Sequence, residues 1–151
     1  KYVNRSTPVI IICQKHGEFI QTPFNHLQGK GCPHCKSKEQ TNLFNRLIQD
    51  FPNEEILYEV GNRIIPWLDG QRFDIYFPKY NIAVEYNGPQ HYMPIERLGG
   101  EISHLKTVER DKEKRKKCEE NNCILFELKY DYSEQDYINL KNSILCVLSR
   151  Y

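Results

Sequence analysis

The stretch RFDIYFPKYNIAVEYN, residues 72–87, decides how this chain folds. Apolar and polar side chains alternate on both sides of residues 78–81, and the composition of those four residues is typical of a turn. We therefore expect two antiparallel strands, at 71–77 and 82–87, joined by a tight connection.

The register of this hairpin sorts its side chains onto two faces. With Phe77 opposite Ile82, one face is apolar and is expected to be the core: Phe73, Ile75, Phe77, Ile82, Val84 and Tyr86. The other face holds Arg72, Asp74, Tyr76, Ala83, Glu85 and Asn87. On that face the carboxylates of Asp74 and Glu85 lie directly opposite, with Cβ atoms about 4.5–5.5 Å apart, where like charges are destabilising.

The sequence around the hairpin predicts a mixed α/β domain. Apolar residues repeat at helical spacing after Ser37, a good helix cap with Gln40 three residues later, and the pattern stops at Pro52. Further strands are predicted at 56–60 and 123–128, and further helices at 104–121 and 133–148. Residues 88–102 are rich in glycine and proline and are expected to form a long loop, which in compact domains is often functional.

Length and composition exclude several classes of protein. The 151 residues suit one domain, or one domain with a small appendage. No apolar run approaches the roughly 18 residues of a membrane span, and no signal-peptide pattern opens the chain, so we expect a cytoplasmic protein without a membrane partner. Residues 1–36 carry five basic side chains against one acidic, and this basic segment suits an anionic partner.

Two residue pairs in the basic segment have the spacing of zinc ligands. Cys13 and His16 are separated by two residues, as are Cys32 and Cys35. Zinc favours four tetrahedral Cys or His ligands, and a two-residue gap lets one tight turn supply two of them. Few aliphatic side chains occur here, so a metal would supply stability that a small core cannot. We predict a structural zinc element at 1–36.

Two other histidines compete with His16 as the fourth ligand. His26 and His34 lie in the same segment, and chance spacing in a reduced protein is the alternative to any metal. We prefer His16 because Cys-x2-His mirrors the Cys-x2-Cys of the second pair. A knuckle that leads directly into a helix resembles a treble-clef zinc element.

The facing carboxylates of Asp74 and Glu85 need a cation, a proton or a bridging base. Arg72, on the same face, could serve as a structural counter-ion. A divalent metal is our preferred interpretation, because Mg²⁺ typically binds one or two carboxylates together with waters and phosphate oxygens. The hairpin therefore predicts a magnesium site.

Three more side chains are candidates for this site. His91 follows the second strand after a Gly-Pro turn, where its imidazole could accept a proton from an attacking water. Glu39 lies four residues before Leu43 and should point inward, although a first-turn acid is also favoured by the helix dipole. Asp111 follows Leu105 and Val108 at helical spacing and should face inward as well. The alternative for Asp111 is an ion pair with Lys114 or Arg115.

Three motifs resemble those of a known nuclease family. They are Arg72-Phe73-Asp74, then AVEYNGPQHY at 83–92, then Glu109-Arg110-Asp111. Together they resemble the very-short-patch-repair (Vsr-type) endonucleases, a branch of the PD-(D/E)xK nuclease superfamily. The closest likeness is to the phage homing endonucleases of the EDxHD group, and it spans about residues 37–130.

The resemblance implies a fold and a set of site residues. It implies a Vsr-like nuclease domain at 37–151, with a central mixed sheet flanked by helices, behind the zinc element. Carried over residue by residue, it implies an acid, acid, histidine and acid at Glu39, Asp74, His91 and Asp111. Glu85 matches the second acid of the wider superfamily. Asn87 departs from the superfamily, which usually has lysine there, and this shifts the proton-transfer role to His91.

The activity that the resemblance implies is Mg²⁺-dependent hydrolysis of DNA phosphodiester bonds. Asp74 and Glu85 would hold Mg²⁺, His91 would activate water or the leaving group, and the outer acids would orient His91 or waters. Beside such a site, the basic helix is a candidate track for the phosphates of double-stranded DNA. Its candidate contacts are Lys106, Arg110, Lys112, Lys114 and Arg115. Tyr92 and Met93 are candidates for stacking on bases, or are ordinary loop anchors.

Three functions compete on this basis. The leading hypothesis is a homing, mobile-element endonuclease with a structural zinc element, and a mismatch-nicking repair enzyme would use the same residues. A zinc-stapled module that binds nucleic acid without cutting it is the third. The small catalytic core leaves little surface for reading many base pairs, which favours a further DNA-recognition domain upstream of Lys1.

Overall fold

The structure is a computed structural model that describes the backbone of residues 3–13 and 17–151, and every side chain there except those at 29, 30 and 33–38. Of the predicted zinc ligands, Cys13 and Cys32 therefore lie inside the described part of the chain. His16 and the side chains of Cys35 and His34 lie outside it.

A four-stranded mixed sheet forms the centre of the fold. Its strands, in spatial order, are β3 (Leu57–Gly61), β4 (Arg72–Phe77), β5 (Ile82–Asn87) and β6 (Ile124–Lys129). Strand β4 pairs antiparallel with both β3 and β5, and β6 runs parallel to β5. The predicted α/β class and the strands flanking the hairpin are confirmed.

The hairpin of β4 and β5 has the predicted register. Phe77 pairs with Ile82, and Ile75 pairs with Val84, where the ladder ends, so the expected pairing of Asp74 with Glu85 is not part of it. A single 3-10 turn at Pro78–Tyr80 joins the strands, and Asn81 closes it with a left-handed φ of 52°. Asparagine tolerates this conformation better than most residues.

Helices cover both faces of the sheet. They are α2 (Pro33–Asp50), α3 (Gly100–Glu120) and α4 (Glu134–Leu148). On one face α2 and α4 pack Leu43, Leu47, Tyr137 and Ile144 against Ile75, Phe77, Ile82 and Val84. On the other face the buried cluster comprises Val60, Ile65, Leu68, Phe73, Tyr76, Ala83, Cys118 and Cys123. None of the described helices combines the length and apolar content that crossing a bilayer requires.

The expected division of the hairpin into one core face and one polar face is wrong at Phe73. This ring stacks on Tyr76, with centroids 5.9 Å apart, in the cluster beneath α3. The ladder between β3 and β4 pairs Val60 with Phe73 but skips Glu59 and Asp74, and Glu59 has a left-handed φ of 51°. An irregularity of this bulge-like kind breaks the alternation of side chains along a strand.

Two helices begin earlier than predicted. Helix α2 begins at Pro33 rather than after Ser37, because proline is well suited to the first helical turn, where its missing N–H is not needed. Helix α3 begins at Gly100 rather than near residue 104, directly after Gly99, whose left-handed φ of 97° ends a preceding 3-10 turn at Glu96–Leu98. The predicted loop is therefore shorter and more structured than expected.

Helix α2 is continuous across the predicted boundary between residues 36 and 37. Its carboxyl-terminal end is fixed to α4, because Asp50 accepts hydrogen bonds from the Tyr137 hydroxyl at 2.7 Å and from Lys141 Nζ at 2.8 Å. Its amino-terminal end directly follows Cys32. The helix thus joins the segment of the predicted zinc element to the domain that contains the four-stranded sheet.

The amino-terminal segment contains a small hairpin that the sequence analysis missed. Strands β1 (Val9–Cys13) and β2 (Gly17–Gln21) pair antiparallel, with Ile11 opposite Phe19. A helical turn α1 (Pro23–Asn25), capped by the Thr22 side chain, and a π-helical turn at His26–Lys30 follow. The run of β-branched residues at 9–12 was the available signal for β1.

Candidate active site

A polar cleft of about 470 Å³ opens where β4 begins and β5 ends, between α2 and α3. Asp74, Glu85, His91 and Asp111, which the sequence predicted as site residues, all line it, together with Gln40 and Lys114. We call this space the candidate cleft. The sheet therefore brings together residues that are widely separated along the chain.

Asp74 is held by donors from two different elements. Gln40 Nε2, on α2, donates to Oδ1 at 2.8 Å, and the backbone N–H of Tyr86, on β5, donates to Oδ2 at 2.8 Å. The ladder of β4 and β5 ends at Ile75 and Val84, and the Tyr86 N–H beyond it donates to this side chain. Burial raises the pKa of Asp74, although the Tyr86 N–H and the charge of Lys114 both act to lower it.

Glu85 is the most deeply buried carboxylate of the cleft, with 7% of the residue exposed. Lys114 Nζ donates to Oε2 at 2.9 Å, whereas Oε1 is buried without a hydrogen-bond partner in the described part of the chain. Burial raises the pKa of Glu85 to about 7; Lys114 opposes this shift, the charge of Asp74 adds to it, and the nearby backbone N–H of Asp74 opposes it. An unsatisfied buried acceptor typically costs about 1–3 kcal/mol.

The two carboxylates suit a divalent cation. The orphaned Oε1 of Glu85 offers a ligand atom that no protein donor uses in the described part of the chain, and Asp74 lies beside it. No group of three or more His, Cys, Asp or Glu side chains that could hold a metal occurs among the described residues. Mg²⁺ does not need one, since one or two carboxylates with waters and phosphate oxygens suffice.

His91 and Asp111 form a close pair at the rim of the two-carboxylate site. Nδ1 of His91, on a 3-10 turn at Pro89–His91, lies 2.6 Å from Oδ2 of Asp111 on α3. Only 20% and 16% of these side chains are exposed. With Nδ1 engaged by the carboxylate, Nε2 is the nitrogen left for proton transfer. The imidazole is also close enough for its charge to lower the pKa of Asp74.

Helix α3 presents a different face to the sheet from the one that its apolar pattern indicated. Leu105 and Val108 are exposed, whereas Asp111, Lys114 and Cys118 point inward. The spacing of these three inward residues is that of one helical face. The inward position of Asp111 is confirmed, but the apolar neighbours from which it was inferred lie elsewhere.

The expected phosphate track is smaller than the sequence suggested. Lys114 is only 14% exposed and is bound to Glu85, so it is not a surface contact. Arg115 donates to both carboxylate oxygens of Glu127, at 2.9 and 2.8 Å. Lys106, Arg110 and Lys112 are exposed, and Arg110 also lines the candidate cleft.

Glu39 does not line the candidate cleft. Its charge acts on Tyr86, whose pKa burial raises to about 12 with a contribution from Glu39. Gln40 occupies the place expected for Glu39, because residues 40, 43 and 47 lie on one helical face and Leu43 and Leu47 are fully buried. The spacing of three residues from Gln40 to Leu43 and four from Leu43 to Leu47 was the signal that could have identified Gln40 as the inward-facing residue.

Asn87 and Tyr92 have other neighbours. Asn87 is 4% exposed and its Nδ2 donates to Glu127 Oε1 at 3.1 Å, so it points away from the candidate cleft. Tyr92 and Met93 are partly exposed, and Lys129 Nζ lies 5.3 Å from the centre of the Tyr92 ring. Tyr92 is therefore accessible, but it also packs as a loop anchor would.

A larger cavity, about 590 Å³, lies between β6 and α4. Its side chains include Phe126, Leu128, Leu140 and the exposed pair Lys129–Asp131. Among the described residues that line it, no carboxylate is buried, whereas Glu85 is buried in the candidate cleft. The chemistry therefore favours the smaller space as the functional site.

The comparisons with known proteins cover parts of the chain. Residues 1–36 match a family described as a protein of unknown function (DUF723). Uncharacterized protein 307L of Invertebrate iridescent virus 6 is 40% identical over 58 residues, which are 38% of this chain and 29% of the viral protein. No solved structure matches the chain significantly. Neither description names an activity.

Proposed function

We propose that this protein is a Mg²⁺-dependent DNA endonuclease with a nuclease domain similar to the Vsr type. The observation that carries the proposal is the carboxylate pair of buried Glu85 and half-buried Asp74, with one orphaned oxygen, beside the His91–Asp111 pair in a single cleft. Buried acids with raised pKa values in a cleft are typical of functional sites. The motifs that resemble the EDxHD homing endonucleases supply Asp74, His91 and Asp111.

In this mechanism the chain positions a proton acceptor and two ligands. Asp74 and Glu85 would hold Mg²⁺, and Gln40 would keep Asp74 in place. When bound, Mg²⁺ would supply Lewis-acid stabilisation of charge on the phosphate. Nε2 of His91 accepts the proton that water loses as it attacks phosphorus, one P–O ester bond breaks, and the leaving oxygen takes a proton from solvent. Asp111 holds the imidazole and stabilises its protonated form.

Double-stranded DNA is the proposed substrate, because exposed cations flank the cleft. Arg110 lies at its rim, and Lys106 and Lys112 are exposed on the same helix. Phosphate contacts of this kind position a duplex without reading its sequence. We further propose a homing role, with sequence reading by a domain upstream of Lys1.

A non-catalytic nucleic-acid-binding module is the alternative. It is favoured by the ion pair between Lys114 and Glu85, which would give one of the two carboxylate oxygens a purely structural partner. In that case the cleft would be a relic, and DNA would bind without being cut.

Supercoiled plasmid DNA separates these two functions in one experiment. We expect nicked or linear product with Mg²⁺ and none with EDTA, while DNA binding persists in both. Bound but intact plasmid in Mg²⁺ would establish the binding module instead. The ratio of nicked to linear product would also distinguish a nicking enzyme from one that cuts both strands.

Metal affinity should depend on pH through Glu85. Its raised pKa of about 7 means that the metal-free site is protonated below neutrality, so binding must release a proton there. We expect Mn²⁺ affinity, measured by calorimetry, to fall about tenfold between about pH 8 and pH 6. Titrations in two buffers of different ionisation enthalpy should detect close to one proton released at the lower pH. An affinity that does not change across this range would contradict a titrating ligand.

We also propose one structural zinc ion in the amino-terminal segment, held by Cys13, His16, Cys32 and Cys35. The support is that Cys13 ends β1 and Cys32 directly precedes α2, so one ligand of each predicted pair lies at the end of a strand or at the start of a helix. Elemental analysis of protein purified without added zinc should find about one zinc per chain. Cys32→Ser should lower that content and destabilise residues 1–40, whereas Cys146→Ser, outside the segment, should do neither. A folded zinc-free protein would contradict the proposal.

A further inference from the structure

Lys114 is held rigidly inside the candidate cleft. Its Nζ donates to the backbone oxygen of Arg72 at 2.7 Å and to Glu85 Oε2 at 2.9 Å. A lysine ammonium has three N–H donors, and the third has no hydrogen-bond acceptor in the described part of the chain. The Lys114 side chain lines the same cleft as Asp74 and His91.

The neighbouring cations of α3 are placed differently. Arg115 is bound to Glu127, and Lys117 is bound to Glu113 at 3.1 Å. Lys116 is 74% exposed and lies 3.7 Å from Glu120. Within this run of four basic residues, Lys114 alone lines the cleft.

The charges of the cleft leave a role for a fixed cation. A divalent ion would neutralise Asp74 and Glu85, and the His91–Asp111 pair is neutral overall once the imidazole has taken a proton. The phosphodiester that enters then brings one negative charge without a counterpart, and further charge develops on it as water attacks. A cation already fixed in place stabilises such charge without reorganisation during the reaction.

We propose that the Lys114 ammonium contacts the phosphate that is cleaved and stabilises its developing negative charge. This inference rests on the proposed nuclease function. It assigns to Lys114 a role in the chemical step, in place of the surface phosphate contact that the sequence suggested. Two of its three donors are used by Arg72 and Glu85, which leaves the third for a ligand in the cleft; the centre of the Phe73 ring also lies 5.9 Å from Nζ.

Two variants of Lys114 and one matched control test this role. Lys114→Gln keeps donors for the bonds to Arg72 and Glu85 but removes the charge, and Lys114→Met removes both. Lys116→Met removes a charge from the same helix outside the cleft. Each is measured for single-turnover cleavage in Mg²⁺, for DNA affinity in EDTA and for Mn²⁺ affinity by calorimetry.

We expect both Lys114 variants to slow the chemical step about 10²–10³-fold, as the loss of one preorganised donor typically does. DNA affinity should change by less than about threefold, since one phosphate contact among several is lost. At about pH 9, Mn²⁺ affinity should hold or improve, because a cation beside Glu85 has been removed; the comparison is made there because Lys114 lowers the pKa of Glu85, so at neutral pH its loss would favour the protonated acid. Lys116→Met should cleave at the wild-type rate.

Several results would overturn the proposal. Cleavage at the wild-type rate by Lys114→Gln would show that Lys114 has no role in the chemical step. Weaker DNA binding with an unchanged single-turnover rate would make Lys114 an ordinary phosphate contact. Loss of Mn²⁺ affinity in parallel with the rate would make it a structural partner of Glu85. If Lys114→Met does not fold, Lys114→Gln decides alone. A wild-type protein that binds but never cuts DNA would overturn the nuclease function itself, and the Lys114 role with it.

Discussion

Asp74→Asn should reduce DNA cleavage at least about 10³-fold, the scale expected when a group that stabilises transition-state charge is lost. An amide is a poorer ligand for Mg²⁺ than a carboxylate, so the metal would be held weakly or not at all. DNA binding should be intact or stronger, because the change removes a negative charge close to phosphate. Single-turnover cleavage and DNA affinity, measured on the same preparation, check both halves of the expectation.

The fold should survive this substitution. The oxygen of the new amide can still accept the Tyr86 N–H, and the Gln40 amide can turn so that its own oxygen accepts from the new NH₂ group. Because burial raises the pKa of Asp74, the ionised carboxylate costs stability above its usual titration range. The metal-free variant should therefore melt at the same or a higher temperature at neutral pH.

Asp131→Asn is the matched control, because it makes the same chemical change at an exposed acid that pairs with Lys129 outside the candidate cleft. It should cleave like the wild type. Cleavage at the wild-type rate by Asp74→Asn would show that the candidate cleft is not the active site.

His91→Ala should lower the single-turnover rate by about 10²–10⁴, the usual contribution of general acid–base catalysis. Asp74 and Glu85 are engaged by protein donors and by the proposed metal, so Nε2 of His91 is the proton acceptor that the cleft provides. Mn²⁺ and DNA affinities should be unchanged. Added imidazole should restore part of the rate, because it can enter the space that the side chain leaves.

Asp111 should act through His91. Asp111→Asn keeps a group of the same size but loses the charge that stabilises the imidazolium, and we expect a loss of about 10–100-fold. The double variant with His91→Ala should be no slower than His91→Ala alone, since residues that act as a unit are not additive. Cleavage by His91→Ala at close to the wild-type rate would show that the His91–Asp111 pair only anchors its loop and takes no part in catalysis.

The central hairpin was predictable because its information is local. Alternating polarity on both sides of a short turn specifies the register, and a shift by one residue would expose the apolar set. The expected closeness of Asp74 and Glu85 followed from that register, but the ladder ends at Ile75 and Val84, so these two residues are not a ladder pair. The reversal of Phe73 was not predictable, since it depends on the left-handed Glu59 of a neighbouring strand.

The missed site residues depend on how helices rotate against the sheet. The apolar pattern of α3 would bury Leu105 and Val108, yet these are exposed and the polar Asp111 and Lys114 face inward. Cys118 is the fully buried side chain that sets this rotation, and one cysteine is a weak apolar signal. Because Lys114 belongs to a run of basic residues, the sequence suggested that it lies on the surface.

The continuity of α2 restricts how this protein can change by insertion and deletion. Each residue added to a helix rotates one end relative to the other by about 100° and separates them by a further 1.5 Å or so, about the rise of one residue. One residue gained between Cys32 and Gln40 would swing the amino-terminal segment around the domain, because Asp50 anchors the other end of the helix. Length changes of three or four residues, about one turn, would keep the two parts nearly in phase. Exchange of the first 36 residues between relatives should therefore succeed only where this spacing is kept.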